Sequence, residues 1–183
     1  YNAPKIEQYF LDQTGKAMPK ICFIPTASGE SPTYINNFYK MFARLMCRPT
    51  HLSLFTPPTA DLESYILEFD AIFVGGGNTK SMLALWREWG IDIFLRKAFD
   101  QGTVLGGVSA GSICWFEQGV TDSIPGDLTV LPCLGFLQGS NCPHYDGEKE
   151  RRPAYHKFLL NNQISSGIAI DDHVAVHFVN GAI

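Results

Sequence analysis

Apolar residues in this chain fall into short runs separated by small polar turns. Residues 21–24 (Ile-Cys-Phe-Ile) are apolar at every position, the pattern of a strand covered on both faces of a parallel sheet. Residues 34–46 place Ile35, Phe38, Met41, Phe42, Leu45 and Met46 at helical spacing. Residues 51–55 predict a second strand, stopped by Pro57-Pro58. Residues 62–69 predict a short amphipathic helix and 71–74 a third buried strand. Helices are predicted over 79–86 and 91–99, then a strand over 103–106 and a helix-compatible stretch over 112–116. From 120 to 150 periodicity fades and the pattern predicts loop. Pro153 opens a helix that runs to Leu160, and 167–170 and 174–176 predict closing strands. Asn180-Gly181 between apolar residues predicts a hairpin turn. Strand and helix alternate without repeats or linkers. The fold expected is therefore one α/β domain over 1–183, a three-layer sandwich around a mostly parallel central sheet. Tyr1-Asn2-Ala3-Pro4 reads as a helix opening, and the second arm of the Asn-Gly hairpin barely starts, so the terminal segments of the domain are expected to be missing.

Composition narrows the function classes. The 183 residues are 45% hydrophobic, enough for a sizeable core, and only 17% charged. Net charge is −4, and no basic run is longer than a pair such as Arg151-Arg152, so neither nucleic acid nor an anionic membrane is an expected partner. Five scattered cysteines without a Cys-x-x-Cys argue against a disulfide frame or a zinc site and for a reducing, cytoplasmic setting. No apolar run has the length of a membrane span, and no signal peptide is visible.

The chemistry-bearing pattern is Gly107-Val108-Ser109-Ala110-Gly111, directly after the 103–106 strand. A serine on a tight strand-to-helix turn is thrust out of the sheet, and small neighbours let the turn close. Such a nucleophile needs oxyanion donors, a base and an orienter for that base. The amide of Ala110 and those of Gly76 and Gly77, in the loop Gly75-Gly76-Gly77-Asn78, are the candidate oxyanion donors. No Lys follows this loop, which excludes a P-loop. Among five histidines, His144 stands out as base: it lies in Asn141-Cys142-Pro143-His144-Tyr145-Asp146, a loop stiffened by a proline. Asp122, the Asp171-Asp172 pair and Asp146 are open as the orienter.

Three motifs, residues 74–79 (Val-Gly-Gly-Gly-Asn-Thr), 107–111 and 142–145 (Cys-Pro-His-Tyr), together resemble the peptidase E family of serine peptidases in order and spacing over nearly the whole chain. The resemblance implies a fold like class I glutamine amidotransferase domains, with Ser where those carry Cys. It assigns Ser109 as nucleophile, His144 as base, Asp122 as acid, and Gly76, Gly77 and Ala110 as oxyanion positions. It implies hydrolysis of small peptides, with N-terminal Asp as one substrate class, and no metal or organic cofactor. Alternatives are a cyanophycinase-like, esterase or amidase activity, or a non-catalytic domain of the same fold. An acidic substrate side chain needs a cation, and Arg151 and Arg152 are the nearest to His144 in sequence. A homodimer is the further partner left open. The family's opening strand upstream of the N-terminal helix has no counterpart in this sequence.

Overall fold

The computed structural model describes residues 5–183. The helix opening expected at residues 1–4 lies outside them. Helix α1 (Lys5–Asp12) leads into strand β1 (Lys20–Ile24), a single 3-10 turn (Thr26–Ser28), helix α2 (Pro32–Phe42) and strand β2 (Arg48–His51). Helix α3 (Leu62–Leu67), strand β3 (Ala71–Val74), helices α4 (Thr79–Trp89) and α5 (Ile91–Asp100) and strand β4 (Val104–Gly107) follow. The first sheet has the order β2-β1-β3-β4, with all its pairings parallel.

The unbroken apolar run of β1 is explained by two cores. Ile21 and Phe23 pack with Leu11, Phe38 and Phe42 of α1 and α2, while Cys22 and Ile24 pack with Ile66, Trp86 and Leu95 of α3, α4 and α5. Successive side chains alternate between sheet faces, so only a strand sandwiched between helix layers needs to be apolar at every position. Local signals set the helix starts. Ser31 caps α2 ahead of Pro32, Asp61 caps α3, and Asn78 caps α4 by accepting from Ser81 N–H. Gly90, at φ 71°, ends α4 and turns the chain into α5.

Beyond β4, helix α6 (Ala110–Ile113) is a single short turn, and the chain already becomes strand β5 at Phe116–Thr121. Strands β6 (Thr129–Pro132) and β7 (Leu137–Cys142), helix α7 (Arg151–Leu160) and strand β8 (Gly167–Ala169) complete a second sheet of order β6-β5-β7-β8. Its β5–β6 pairing is antiparallel, and β5–β7 and β7–β8 are parallel. The α/β architecture with a mostly parallel central sheet is thus the one expected.

Three details differ from the sequence pattern. Strand β2 covers 48–51 rather than 51–55. Leu52 and Leu54 are buried, but Glu30 accepts from the amides of Leu54 and Phe55 and draws this segment off the sheet. The predicted loop over 120–150 contains most of the second sheet. Its strands are polar and glycine-bearing (Phe-Glu-Gln-Gly-Val-Thr in β5, Leu-Gln-Gly-Ser-Asn-Cys in β7), so neither period 2 nor an apolar run marks them. Gly119 is required there by clearance, since a Cβ would meet the Ile113 side chain at 1.9 Å. Residues 174–176 pair with no strand among the described residues, and Asn180-Gly181 closes a turn with one antiparallel bridge, Val179 to Ala182.

Candidate active site

Four chain segments at the carboxyl ends of parallel strands carry the candidate residues, the position where α/β sheets bind ligands. They are 75–78 after β3, Ser109 after β4, 143–148 after β7 and 170–172 after β8.

Ser109 has φ 56° and ψ −114°, a strained conformation for a residue with a Cβ, and α6 begins at the next residue. Packing against β3 holds this turn. Val108 N–H donates to Val74 O at 3.1 Å. A Cβ on Gly107 would lie 2.5 Å from Val74 O, and one on Gly111 2.1 Å from the same oxygen. Both glycines therefore let the elbow sit flush on the end of β3. The amides of Gly77 and Ala110 donate to nothing among the described residues, as befits groups awaiting an acceptor.

The three consecutive glycines after β3 serve different purposes. A Cβ on Gly75 would be 2.9 Å from the Tyr34 ring, and one on Gly76 would be 3.2 Å from Ser109 Cβ. Gly77 needs both its φ of 136° and the absence of a side chain, because a Cβ would be 2.2 Å from Ala27 O. Asn78 N–H donates to Ala27 O at 2.8 Å, and its side-chain amide donates to Ser123 O at 2.9 Å, tying the loop at both ends. Gly76 N–H is not free: it donates to the Tyr34 hydroxyl at 3.1 Å.

His144 has φ 55°, and its Nδ1 is 2.7 Å from Asp172 Oδ1. A carboxylate accepts from Nδ1–H, which leaves Nε2 as the basic nitrogen. Asp172 is itself positioned: its N–H donates to Asp146 Oδ1 at 2.8 Å, and its carboxylate occupies space above Gly147, where a Cβ would be 1.9 Å from Oδ2. Tyr145 N–H donates to Ile170 O, and Ile170 N–H to Cys142 O, stitching the two loops together. Asn141, fully buried at the end of β7, donates from Nδ2 to Ser112 Oγ at 2.7 Å and so fastens the histidine's strand to the elbow helix. No hydrogen bond joins Ser109 to His144 directly among the described residues.

The acid beside His144 is Asp172, not Asp122. The Asp122 carboxylate is 69% exposed and lies 3.8 Å from the Arg151 guanidinium. Arg151 is in turn unavailable to a substrate. It is 2% exposed and donates to Val120 O at 2.8 Å and Glu148 Oε2 at 2.6 Å, as a structural tie between β5 and the start of α7. Arg152 is exposed, with its guanidinium 5.7 Å from the Tyr145 ring centroid, next to His144 in the chain. Tyr34, Asn141 and the docking of Asp172 are features that linear spacing does not reveal; Tyr34 and Asn141 lie in unremarkable contexts, and only three-dimensional contact exposes them.

Burial pushes the Cys142 thiol, two residues from His144, up to about 11, and the Cys133 thiol up to about 12. Among the described residues, no group of three or more His, Cys, Asp or Glu is placed to hold a metal ion, and no helix is long and apolar enough to cross a membrane.

An elbow serine after β4 of the first sheet and a His–Asp pair after β7 and β8 of the second are the parts that a serine-type hydrolase site requires. The sequence matches the model of peptidase family S51 over residues 2–183, and the chain belongs to that family. It is 58% identical over 175 residues to YgaJ, an uncharacterised peptidase of Bacillus subtilis (strain 168), covering 96% of this chain and 76% of YgaJ. Two solved structures share the fold. One, a Listeria monocytogenes EGD-e protein provisionally assigned to peptidase E, superposes with a TM-score of 0.64 at 22% identity over 84% of this chain and 80% of its own. The other, a peptidase from an acI-B1 Actinobacterium, gives a TM-score of 0.65 at 17% identity over 91% of this chain and 73% of its own. The protein is a peptidase of the serine type.

Proposed function

We propose that the protein hydrolyses small peptides through a Ser109–His144–Asp172 triad. The observation that carries this reading is the 2.7 Å His144–Asp172 contact, in loops whose strand β7 is fastened by the Asn141–Ser112 hydrogen bond to the helix that starts just after the strained Ser109. Ser109 Oγ attacks the scissile carbonyl carbon while His144 Nε2 takes its proton. Asp172 fixes the imidazole tautomer and stabilises the imidazolium that forms. The free amides of Gly77 and Ala110 receive the oxyanion, and Gly76 contributes clearance beside Ser109 rather than its own N–H. His144 returns the proton to the departing amine, and water then releases the acyl-enzyme.

Peptides with an N-terminal Asp are the substrate class we assign, with Arg152 as the reader of the acidic side chain, since it is exposed over the ring of Tyr145, the residue after His144, and Arg151 is fully engaged. The five free cysteines, three of them buried, support a reducing cytoplasmic setting. The test is a dipeptide panel assayed with the wild-type protein and Ser109→Ala. Cleavage by the wild type, strongest for Asp-X and lost in Ser109→Ala, supports the reading. Wild-type-like cleavage by the variant contradicts it.

A further inference from the structure

The Tyr34 hydroxyl occupies a position that the triad does not use. Tyr34 lies in the first turn of α2, where its own amide donates to the Ser31 cap. Its ring packs edge-on against Phe23, with centroids 5.1 Å apart at 71°, and passes over Gly75 through the gap left by the missing side chain. This carries the hydroxyl to Gly76 N–H, from which it accepts at 3.1 Å. The same Gly76 borders the nucleophile, at 3.2 Å from its would-be Cβ to Ser109 Cβ.

A phenol has one proton to give and two lone pairs to accept with. The bond from Gly76 uses one lone pair, and the hydroxyl proton has no acceptor among the described residues. A donor is therefore held, unspent, one hydrogen bond away from the peptide that flanks Ser109. We infer that Tyr34 is a further catalytic residue, whose O–H donates to the oxyanion alongside the Gly77 and Ala110 amides. This inference rests on the Ser109 reading given above. In the step concerned, Ser109 Oγ bonds to the carbonyl carbon and its proton passes to His144 Nε2. The carbonyl π pair moves onto oxygen, which accepts the Tyr34 hydrogen bond without taking its proton. When the intermediate collapses, that pair reforms the C=O, and the amine leaves with the proton from His144. The chain Gly76 N–H to Tyr34 O–H to oxyanion is cooperative, because accepting a hydrogen bond makes the phenol a stronger donor. Gly76 thus acts on the oxyanion through the phenol. A phenol that merely plugged the Gly76 amide and had to leave before substrate bound would have the opposite effect on rate.

Tyr34→Phe separates the two, since it removes the hydroxyl and keeps the ring packed against Phe23. The readouts are the rate at which a fluorophosphonate modifies Ser109, and kcat and KM on an Asp-X dipeptide. Loss of one oxyanion donor should slow both modification and kcat by roughly 10²-fold while KM stays unchanged. Rates equal to or above wild type overturn the inference. Ser109→Ala run in parallel distinguishes the underlying reading. If that variant still hydrolyses the dipeptide, the serine mechanism fails and this inference with it; if it is inert while Tyr34→Phe is fully active, only the role of Tyr34 fails. A measurement on the wild type needs no stable variant: forming the phosphonyl adduct should protect the Tyr34 hydroxyl proton from solvent exchange by NMR. Exchange as fast as in the unmodified protein contradicts the role.

Discussion

The two halves of the site are built from different materials. The half around Ser109, the proposed nucleophile, is backbone against backbone: Gly107 and Gly111 lie flush on Val74, Gly77 lies against Ala27, and Ser109 is held at positive φ by contacts that tolerate no added carbon. The half around His144 is a partly exposed side-chain pair carried on two loops. The His144 and Asp172 side chains are 25% and 41% exposed, and their loops are held by the Asp172 amide donating to the Asp146 carboxylate and by backbone bonds from Tyr145 to Ile170 and from Ile170 to Cys142. Close-packed backbone transmits strain and resists change, whereas exposed polar contacts adjust at small cost. Ser109 is thereby fixed by the fold, and His144, the proposed base, by a network that can be edited without unfolding the protein.

Variants that remove one chemical group from each half test whether the halves work as a unit. Ser109→Ala and His144→Ala should each cost ~10⁴-fold or more in kcat with the fold intact, and the double variant should be little worse than either, because nucleophile and base act together. Losses that multiplied in the double variant would show two independent contributions. Within the base half, Asp172→Asn should lower kcat by ~10² to 10⁴-fold with KM little changed, while Asp122→Asn leaves both near wild type. The reverse outcome would return the orienting role to Asp122.

Alanine at two glycines should separate the halves by the kind of damage done. Gly111→Ala forces a carbon against Val74 O and should cost about 1–3 kcal/mol of stability, read as a lower denaturation midpoint. Gly147→Ala meets only the half-exposed Asp172 carboxylate, so it should displace that group and reduce kcat with little change in the midpoint. Equal destabilisation by both would erase the distinction between the halves. The smallest effect belongs to Arg152→Ala, expected to lower kcat/KM on Asp-X dipeptides by about 10-fold, in line with a lost charge-assisted bond on an exposed side chain, with Ala-X dipeptides unaffected. Iodoacetamide at pH 8 should leave activity unchanged, since the Cys142 thiol, raised to about 11 by burial, is protonated there.

The same contrast explains what the sequence could and could not reveal. Glycine spacing in 75–77 and 107–111 is a direct imprint of close backbone approach, so the elbow and its neighbouring loop are legible as elements, while the engagement of Gly76 N–H by the Tyr34 hydroxyl is not. Strand β1 is legible for a similar reason, since burial on two faces leaves no polar position. The partner of His144 is not: the two residues are 28 apart, and a pair of loops meeting through backbone bonds leaves no periodic trace. Asp122 looks equivalent in the linear chain until the burial of Arg151 shows where its charge goes. Strands β5 and β7 escape notice because they trade apolar side chains for Gly119, Gly139, Ser140 and Asn141, which serve clearance and hydrogen bonding instead.

That Ser109 is a nucleophile activated by His144 is tested most directly by mapping a fluorophosphonate adduct by mass spectrometry. One phosphonyl group should be found on the peptide containing Ser109 in the wild type, with its formation slowed by orders of magnitude in His144→Ala. An adduct on any other residue, or labelling of Ser109 at the same rate in both proteins, would contradict it.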